Sequence, residues 1–220
     1  LSTDAWTYWG YGWIAARDDA NPYRDEPASV PGSPALPHLG AAWRGTTTVY
    51  GPAFTGVSEV AAIAAGESPE AAAWIFKLLA AIATLGAAIL AARLAARPVL
   101  AVVAVGWSPI LAIHGAGGGH NDAWVGALVL GALAAGAARP RLEGLLWTLA
   151  VAVKWVPLAL LPLRLLAERR RALVTSIAVA AIAVGAVAVM LYGVAWLGAI
   201  TPIARNAATK TAYSLPSRLE

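Results

Sequence analysis

The chain has 220 residues, 59% hydrophobic and only 13% charged, with a mean hydropathy of +0.65 and a formal net charge of +4. That balance excludes an ordinary soluble domain and predicts an all-α, multi-pass transmembrane helical bundle; the absence of cysteine excludes a disulfide framework and a thiolate metal site. The positive charge does not signal nucleic acid, because the arginines gather in short clusters between apolar runs, as topology-setting charges do.

Residues 1 to 20 carry helical periodicity. In the run from Asp4 to Trp13 the spacing sets Asp4, Tyr8 and Tyr11 on one face and Trp6, Trp9 and Trp13 on the other. An interfacial aromatic belt accounts for the tryptophans. Hydroxyls sharing a stripe with a carboxylate suit the gripping of sugar hydroxyls and the removal of a proton, which makes Asp4 a candidate general base. Residues 21 to 52, punctuated by proline and glycine, read as a loop. Its last part, Trp43-Arg44-Gly-Thr-Thr-Thr-Val-Tyr50-Gly-Pro52, sets one guanidinium among hydroxyls ahead of a rigid turn, a place to hold a phosphate in a forked grip. An ordinary surface loop is the alternative reading. A short apolar helix over residues 53 to 65 completes an extracytoplasmic or interfacial segment, residues 1–68.

Ser68-Pro69-Glu70 is a helix start, with serine as cap and proline in the first turn, opening an apolar segment to about Ala95 that is long enough to span a bilayer. Further apolar stretches cover 98–113, 123–138, 145–153, 156–167 and 172–192. Several fall short of the ~20 residues a perpendicular span needs, which is tolerated where helices are buried in protein or line a cavity. Arg93 and Arg97, Arg139 and Arg141, and Arg169 to Arg171 mark three turns as cytoplasmic. That assignment requires residues 145–167 to be a helical hairpin with Lys154-Trp155-Val156-Pro157 at its tip. The bundle then covers residues 69–195, and 196–220 form an extracytoplasmic tail in which Arg205 and Lys210 could meet an anionic headgroup. Beginning at Leu1, the chain reads as a fragment that has lost an N-terminal span.

Two more constellations fall on the face that carries Asp4. In the turn from His114 to Asp122, glycines let the backbone approach a ligand, and Asn121 or Asp122 can cap the helix that follows. His114, His120 and Asp122 are a weak set of metal-ligand candidates. Orientation of hydroxyls or phosphate by His120, Asn121 and Asp122 is the stronger reading. Lys154 stands in an apolar run, where a charge at bilayer depth costs ~3 kcal/mol or more unless paired or in a wet cavity. It therefore marks a site, with snorkelling to the interface as the alternative. Arg164 and Arg169 to Arg171 read as topology charges.

Asp4 with Tyr8-Trp9-Gly-Tyr-Gly, Asn21-Pro22-Tyr23, the Trp43–Pro52 run, Gly118-Gly-His-Asn-Asp122-Ala, and Lys154 with Pro157 together resemble the GT-C class of integral-membrane glycosyltransferases. They are most similar to bacterial polyprenyl-phosphate-mannose-dependent α-1,6-mannosyltransferases and the related glycosyltransferase family 87. The resemblance implies a catalytic aspartate in the first extracytoplasmic loop, matched by Asp4, and a substrate site drawn from Tyr8, Tyr11, Arg44, Tyr50, His120, Asn121, Asp122 and Lys154. It implies a polyprenyl-phosphate-sugar donor, a glycan or glycolipid acceptor, membrane lipid as surroundings, and the outer face of the cytoplasmic membrane as location. No cofactor is expected, a divalent cation being the one candidate. Val49, where relatives often place a proline, and Trp124, where a smaller residue is common, depart from the pattern and bear on pocket shape. A transporter or flippase of lipid-linked sugars would also use broken helices and buried charge, though the hydropathy shows no inverted repeat. A noncatalytic membrane scaffold would tolerate the loss of Asp4.

Overall fold

The computed structural model describes residues 3–17, 20–167 and 170–201; Arg169, Arg205, Lys210 and most of the expected tail lie outside them. Among the described residues the secondary structure is helical, with no strand. The α-helices are α1 (Asp4–Ala16), α2 (Ala41–Arg44), α3 (Pro52–Ala65), α4 (Pro69–Leu94), α5 (Pro98–Gly106), α6 (Asp122–Ala135), α7 (Pro140–Val153), α8 (Leu161–Ala167) and α9 (Arg171–Tyr192). A π-helical turn, Leu111–Ala116, follows α5, and 3₁₀ turns occupy Val156–Ala159 and Gly193–Ala199.

Most boundaries follow from local chemistry. The Ser68 hydroxyl accepts the Ala71 N–H at 3.1 Å, Pro69 supplies the first-turn geometry, and Glu70 meets the positive end of the helix. The result is the 26-residue α4, about 39 Å at 1.5 Å per residue. The apolar run 98–113 is not one helix, because Pro109 lacks an N–H and disfavours helical geometry at Ser108. The segment foreseen at 145–153 begins earlier, at Pro140, whose fixed φ suits a first helical position. Pro157 ends that helix: a continued helix would drive its ring into the Val153 carbonyl, so Lys154 turns extended at φ −153°, ψ 137°. The released Val153 carbonyl accepts the Gly51 N–H at 3.1 Å, which docks the loop before α3 onto the tip of α7.

Two helices, α4 and the stretch from α9 to Ala199, are long and apolar enough to cross a membrane. Only 28% and 17% of their most apolar windows are buried, and residues such as Leu78, Ile82, Leu85, Ile182 and Met190 stand exposed. Apolar surface of that extent suits lipid better than water. Pro52–Ala65, Asp122–Ala138 and Val156–Ala167 are apolar but shorter than a span needs, so among the described residues length and composition support two crossings rather than the full bundle expected over residues 69–195.

The main core is aromatic and lies where α1 meets α3 and the start of α4. Tyr8 sits edge-on to Tyr50, Phe54 and Phe76, with centroids 5.0, 4.7 and 5.3 Å away. Gly12 lets α1 press against the backbone of α3, since a Cβ there would collide with the Ser58 carbonyl. A smaller core joins α6, α7, α8 and α9 through Ala132, Trp147, Leu161 and Leu173.

The charges expected to do no more than set topology do more. Glu143 is completely buried, and its Oε1 accepts hydrogen bonds from Arg164 at 3.0 and 2.8 Å, while Oε2 accepts one from Arg170 at 2.8 Å. These bonds tie α7, α8 and the start of α9 together at the arginine-rich end. The Arg164–Glu143 bonds bring α8 back beside the first turn of α7.

Candidate functional site

α1 presents its first residue, Asp4, at the end of the aromatic core, and the glycine turn before α6 brings His120 to it. The His120 Nδ1–H donates to Asp4 Oδ2 at 2.8 Å, and both side chains are about a quarter exposed, at 24% and 27%. The turn can come this close because Gly119 adopts φ +70°, which favours glycine, and because Gly118 leaves no room for a Cβ beside the His120 ring. The Tyr8 hydroxyl reaches the same Asp4 oxygen at 3.5 Å, one helical turn away. Burial, followed by the Asp4 charge, pushes the Tyr8 phenol well above its ordinary range, so it stays a neutral hydrogen-bonding group. Tyr50, packed edge-on against Tyr8, is held neutral by burial in the same way.

Next along the turn, the Asn121 side chain is 1% exposed, and neither its amide nitrogen nor its oxygen has a hydrogen-bond partner among the described residues. Buried amides are otherwise almost always paired. Asp122 opens α6 and accepts from Lys154 Nζ at 2.7 Å, with 62% of the aspartate and 29% of the lysine side chain exposed. Lys154 is thus a paired cation at a helix break. Beside it opens an apolar cavity of about 390 Å³ lined by Val49, Tyr50, Trp155, Val156 and Ala159. Trp155 also lines a second apolar cavity of about 180 Å³ between α7 and α9.

Asp4, Tyr8, Tyr50, His120, Asn121, Asp122 and Lys154 therefore come together. Two other expected residues are engaged elsewhere. The Tyr11 hydroxyl donates to the Thr46 carbonyl at 2.8 Å and pins the loop before α3. Arg44, exposed at the end of α2, donates from Nε to the Leu39 carbonyl at 3.2 Å and from Nη2 to the Pro37 carbonyl at 3.1 Å. Among the described residues no group of three histidine, aspartate or glutamate side chains converges to hold a metal; His114 is exposed, and His120 is turned to Asp4. Trp124, the larger residue noted in the sequence, packs edge-on against Phe54 at 5.5 Å and fills the core beneath the site.

Sequence reasoning missed two polar clusters. One is the Glu143 pair of ion bonds, signalled only by a lone acid in an apolar run with arginines 21 and 27 residues on. The other joins Glu59 to Tyr192, 133 residues apart, at 2.6 Å; nothing local in the sequence could reveal it.

The fold and the site together define a helical protein with a lipid-suited apolar surface and, at one end, a carboxylate–imidazole pair beside a paired cation. Within that class the chain belongs to the family described as alpha-(1->6)-mannopyranosyltransferase, N-terminal domain, whose model matches residues 1–170. It is 31% identical over 133 residues to alpha-(1->6)-mannopyranosyltransferase A of Corynebacterium glutamicum, an alignment covering 59% of this chain and 27% of that relative. The chain thus spans little more than a quarter of the curated relative it matches. No solved structure matches it. The mannosyltransferase resemblance drawn from the motifs is borne out at the level of family.

Proposed function

We propose that the chain is the donor- and acceptor-facing part of an integral-membrane mannosyltransferase that moves a mannosyl unit from a polyprenyl phosphate to a glycan or glycolipid hydroxyl at the extracytoplasmic face. The observation that carries this reading is the Asp4–His120 pair at 2.8 Å, standing beside a buried amide, Asn121, unpartnered among the described residues, and a cation, Lys154, that lines an apolar cavity. A base, a hydroxyl-orienting group, a phosphate-sized positive charge and a channel for a hydrocarbon tail are the four things such a transfer needs.

In this mechanism the acceptor oxygen attacks the anomeric carbon from the side opposite the phosphate. Asp4 takes the acceptor proton, the carbon–oxygen bond to phosphate breaks with its electron pair going to the phosphate oxygen, and configuration inverts. His120 holds the carboxylate in orientation through Nδ1–H. Lys154 exchanges its bond to Asp122 for the charge that develops on the departing phosphate, an attraction that grows toward the transition state. Tyr8 and Asn121 position hydroxyls. Arg44, with two of its five N–H groups engaged by loop carbonyls, keeps the others for phosphate at the rim. The step as written uses no cofactor.

The test is transfer of labelled mannose from a polyprenyl-phosphate donor in membranes. Asp4→Asn should lower kcat by a factor of about 10² or more with little change in donor KM, while Lys154→Ala should lower transfer and weaken donor binding together. Full activity of Asp4→Asn would remove the proposed base. Movement of the lipid-linked sugar across the bilayer without bond formation would favour a transporter.

A further inference from the structure

A second polar cavity lies apart from Asp4, where the Asn21-Pro22-Tyr23 turn, α3 and the end of α9 meet. It measures about 340 Å³, within the ~300–1,000 Å³ range of small-molecule sites, and Asn21, Arg24, Glu59 and Tyr192 supply its polar wall. Distant segments build it. The Tyr192 hydroxyl donates to Glu59 Oε1 at 2.6 Å, and Asn21 Nδ2 donates to the Tyr192 carbonyl at 2.8 Å across 171 residues of sequence. Asn21 is itself locked, since its Oδ1 accepts the Tyr23 N–H at 3.1 Å. The turn that carries Asn21 is equally fixed: the Tyr23 hydroxyl bonds the Tyr50 carbonyl at 3.1 Å and Thr55 at 2.8 Å, and its ring stands edge-on to Tyr192 at 5.2 Å.

These ties leave Glu59 Oε2 and the exposed Arg24 guanidinium without a bonding partner among the described residues. The mixture selects against simple ions, because an anion drawn to Arg24 meets the Glu59 carboxyl and a cation drawn to Glu59 meets the guanidinium. A neutral polyhydroxylated ligand satisfies both, donating to the carboxyl and accepting from the guanidinium. The cavity shares α1 with the Asp4 site: Ala15 lines it at the far end of the helix that begins with Asp4, about 16 Å away along the axis at 1.5 Å per residue. A chain of several sugars would bridge that distance, whereas one sugar would not.

We propose that the Asn21–Arg24–Glu59–Tyr192 cavity is a distal saccharide subsite that holds the acceptor glycan some way back from its reacting end. This rests on the transferase reading above, and the test separates the two. α-1,6-linked mannotriose would be titrated calorimetrically into the full protein in nanodiscs, and transfer to mannotriose and to a monosaccharide acceptor measured on the same samples. Arg24→Ala and Glu59→Gln should each weaken mannotriose binding at least tenfold and raise its KM as acceptor by a similar factor, with kcat and monosaccharide KM unchanged. The control Glu67→Gln, exposed on the turn before α4, should leave binding as it was. Mannotriose binding that is absent, or unchanged in both variants, overturns the subsite. So does displacement of mannotriose by millimolar inorganic phosphate in an Arg24-dependent manner, which would make it an anion site. Arg24-dependent binding without transfer would sink the transferase reading and leave a glycan-binding site.

Discussion

Asn121 is the residue whose surroundings least resemble those of a finished core. A buried amide without partners costs about 1–3 kcal/mol relative to a paired one, and the protein keeps it between the two members of its polar site. Because no protein hydrogen bond is lost, Asn121→Ala should change stability by no more than about 1 kcal/mol. Transfer should nevertheless fall at least tenfold. Thermal unfolding in detergent alongside the transfer assay checks both halves, and a stability loss with activity intact would show the amide to be structural. At Glu59, burial raises the carboxyl above its ordinary value of 4.5, with the Tyr192 hydrogen bond opposing the shift. Folding therefore favours the protonated form, and the stability it contributes is present below that ordinary value and lost as pH rises through the folded-state value. Glu59→Gln should flatten this dependence, so the variant gains stability relative to the parent between acidic and neutral pH, as unfolding curves across that range would show.

At the scale of elements, close packing and one buried ion cluster decide whether helices meet. Gly12 and Gly51 have no space for a Cβ, against the Ser58 and Ala152 carbonyls respectively. Gly12→Ala should pry α1 from α3 and cost about 1–3 kcal/mol or more in stability, with loss of transfer following because Asp4 rides on α1. Glu143 holds both Arg164 and Arg170. Glu143→Ala would remove the buried carboxylate that both guanidiniums share, for which a loss of about 3–5 kcal/mol is expected. Exchanging all three for apolar residues of similar size should recover most of it, as thermal unfolding in detergent would reveal. The helices themselves were largely legible in the sequence: the Ser68-Pro69-Glu70 start gave α4 nearly to the residue, and the short helix after the loop appears as α3. The break inside 98–113 was not foreseen, because hydropathy alone cannot see what Pro109 does to the backbone before it.

For the whole molecule the two-ended charge pattern is the organising fact. Arg93, Arg97, Arg139 and Arg141 lie at turns, Glu143 gathers Arg164 and Arg170, and Asp4, His120, Asp122 and Lys154 collect elsewhere. The chain has no cysteine, so single engineered ones report cleanly. Cysteines at Glu67 and Val194 should react with an impermeant maleimide from outside intact cells, and those at Ala95 and Ala138 only after permeabilisation. Labelling of all four from one side would end the proposed topology.

Hydropathy, helix starts and the order of polar motifs are properties of neighbours along the chain, so the all-helical class, the α4 helix and the family could be read before any coordinates. Which polar groups actually touch is a property of packing between segments far apart. Asp4 meets His120 on the face where both were expected, but Tyr11 and Arg44 bond loop carbonyls. The Glu59–Tyr192 and Glu143–arginine clusters arose only when α3 met α9 and α7 met α8. Burial and partner choice set the energy of a polar group, and both are determined by the folded arrangement of helices rather than by the residues on either side.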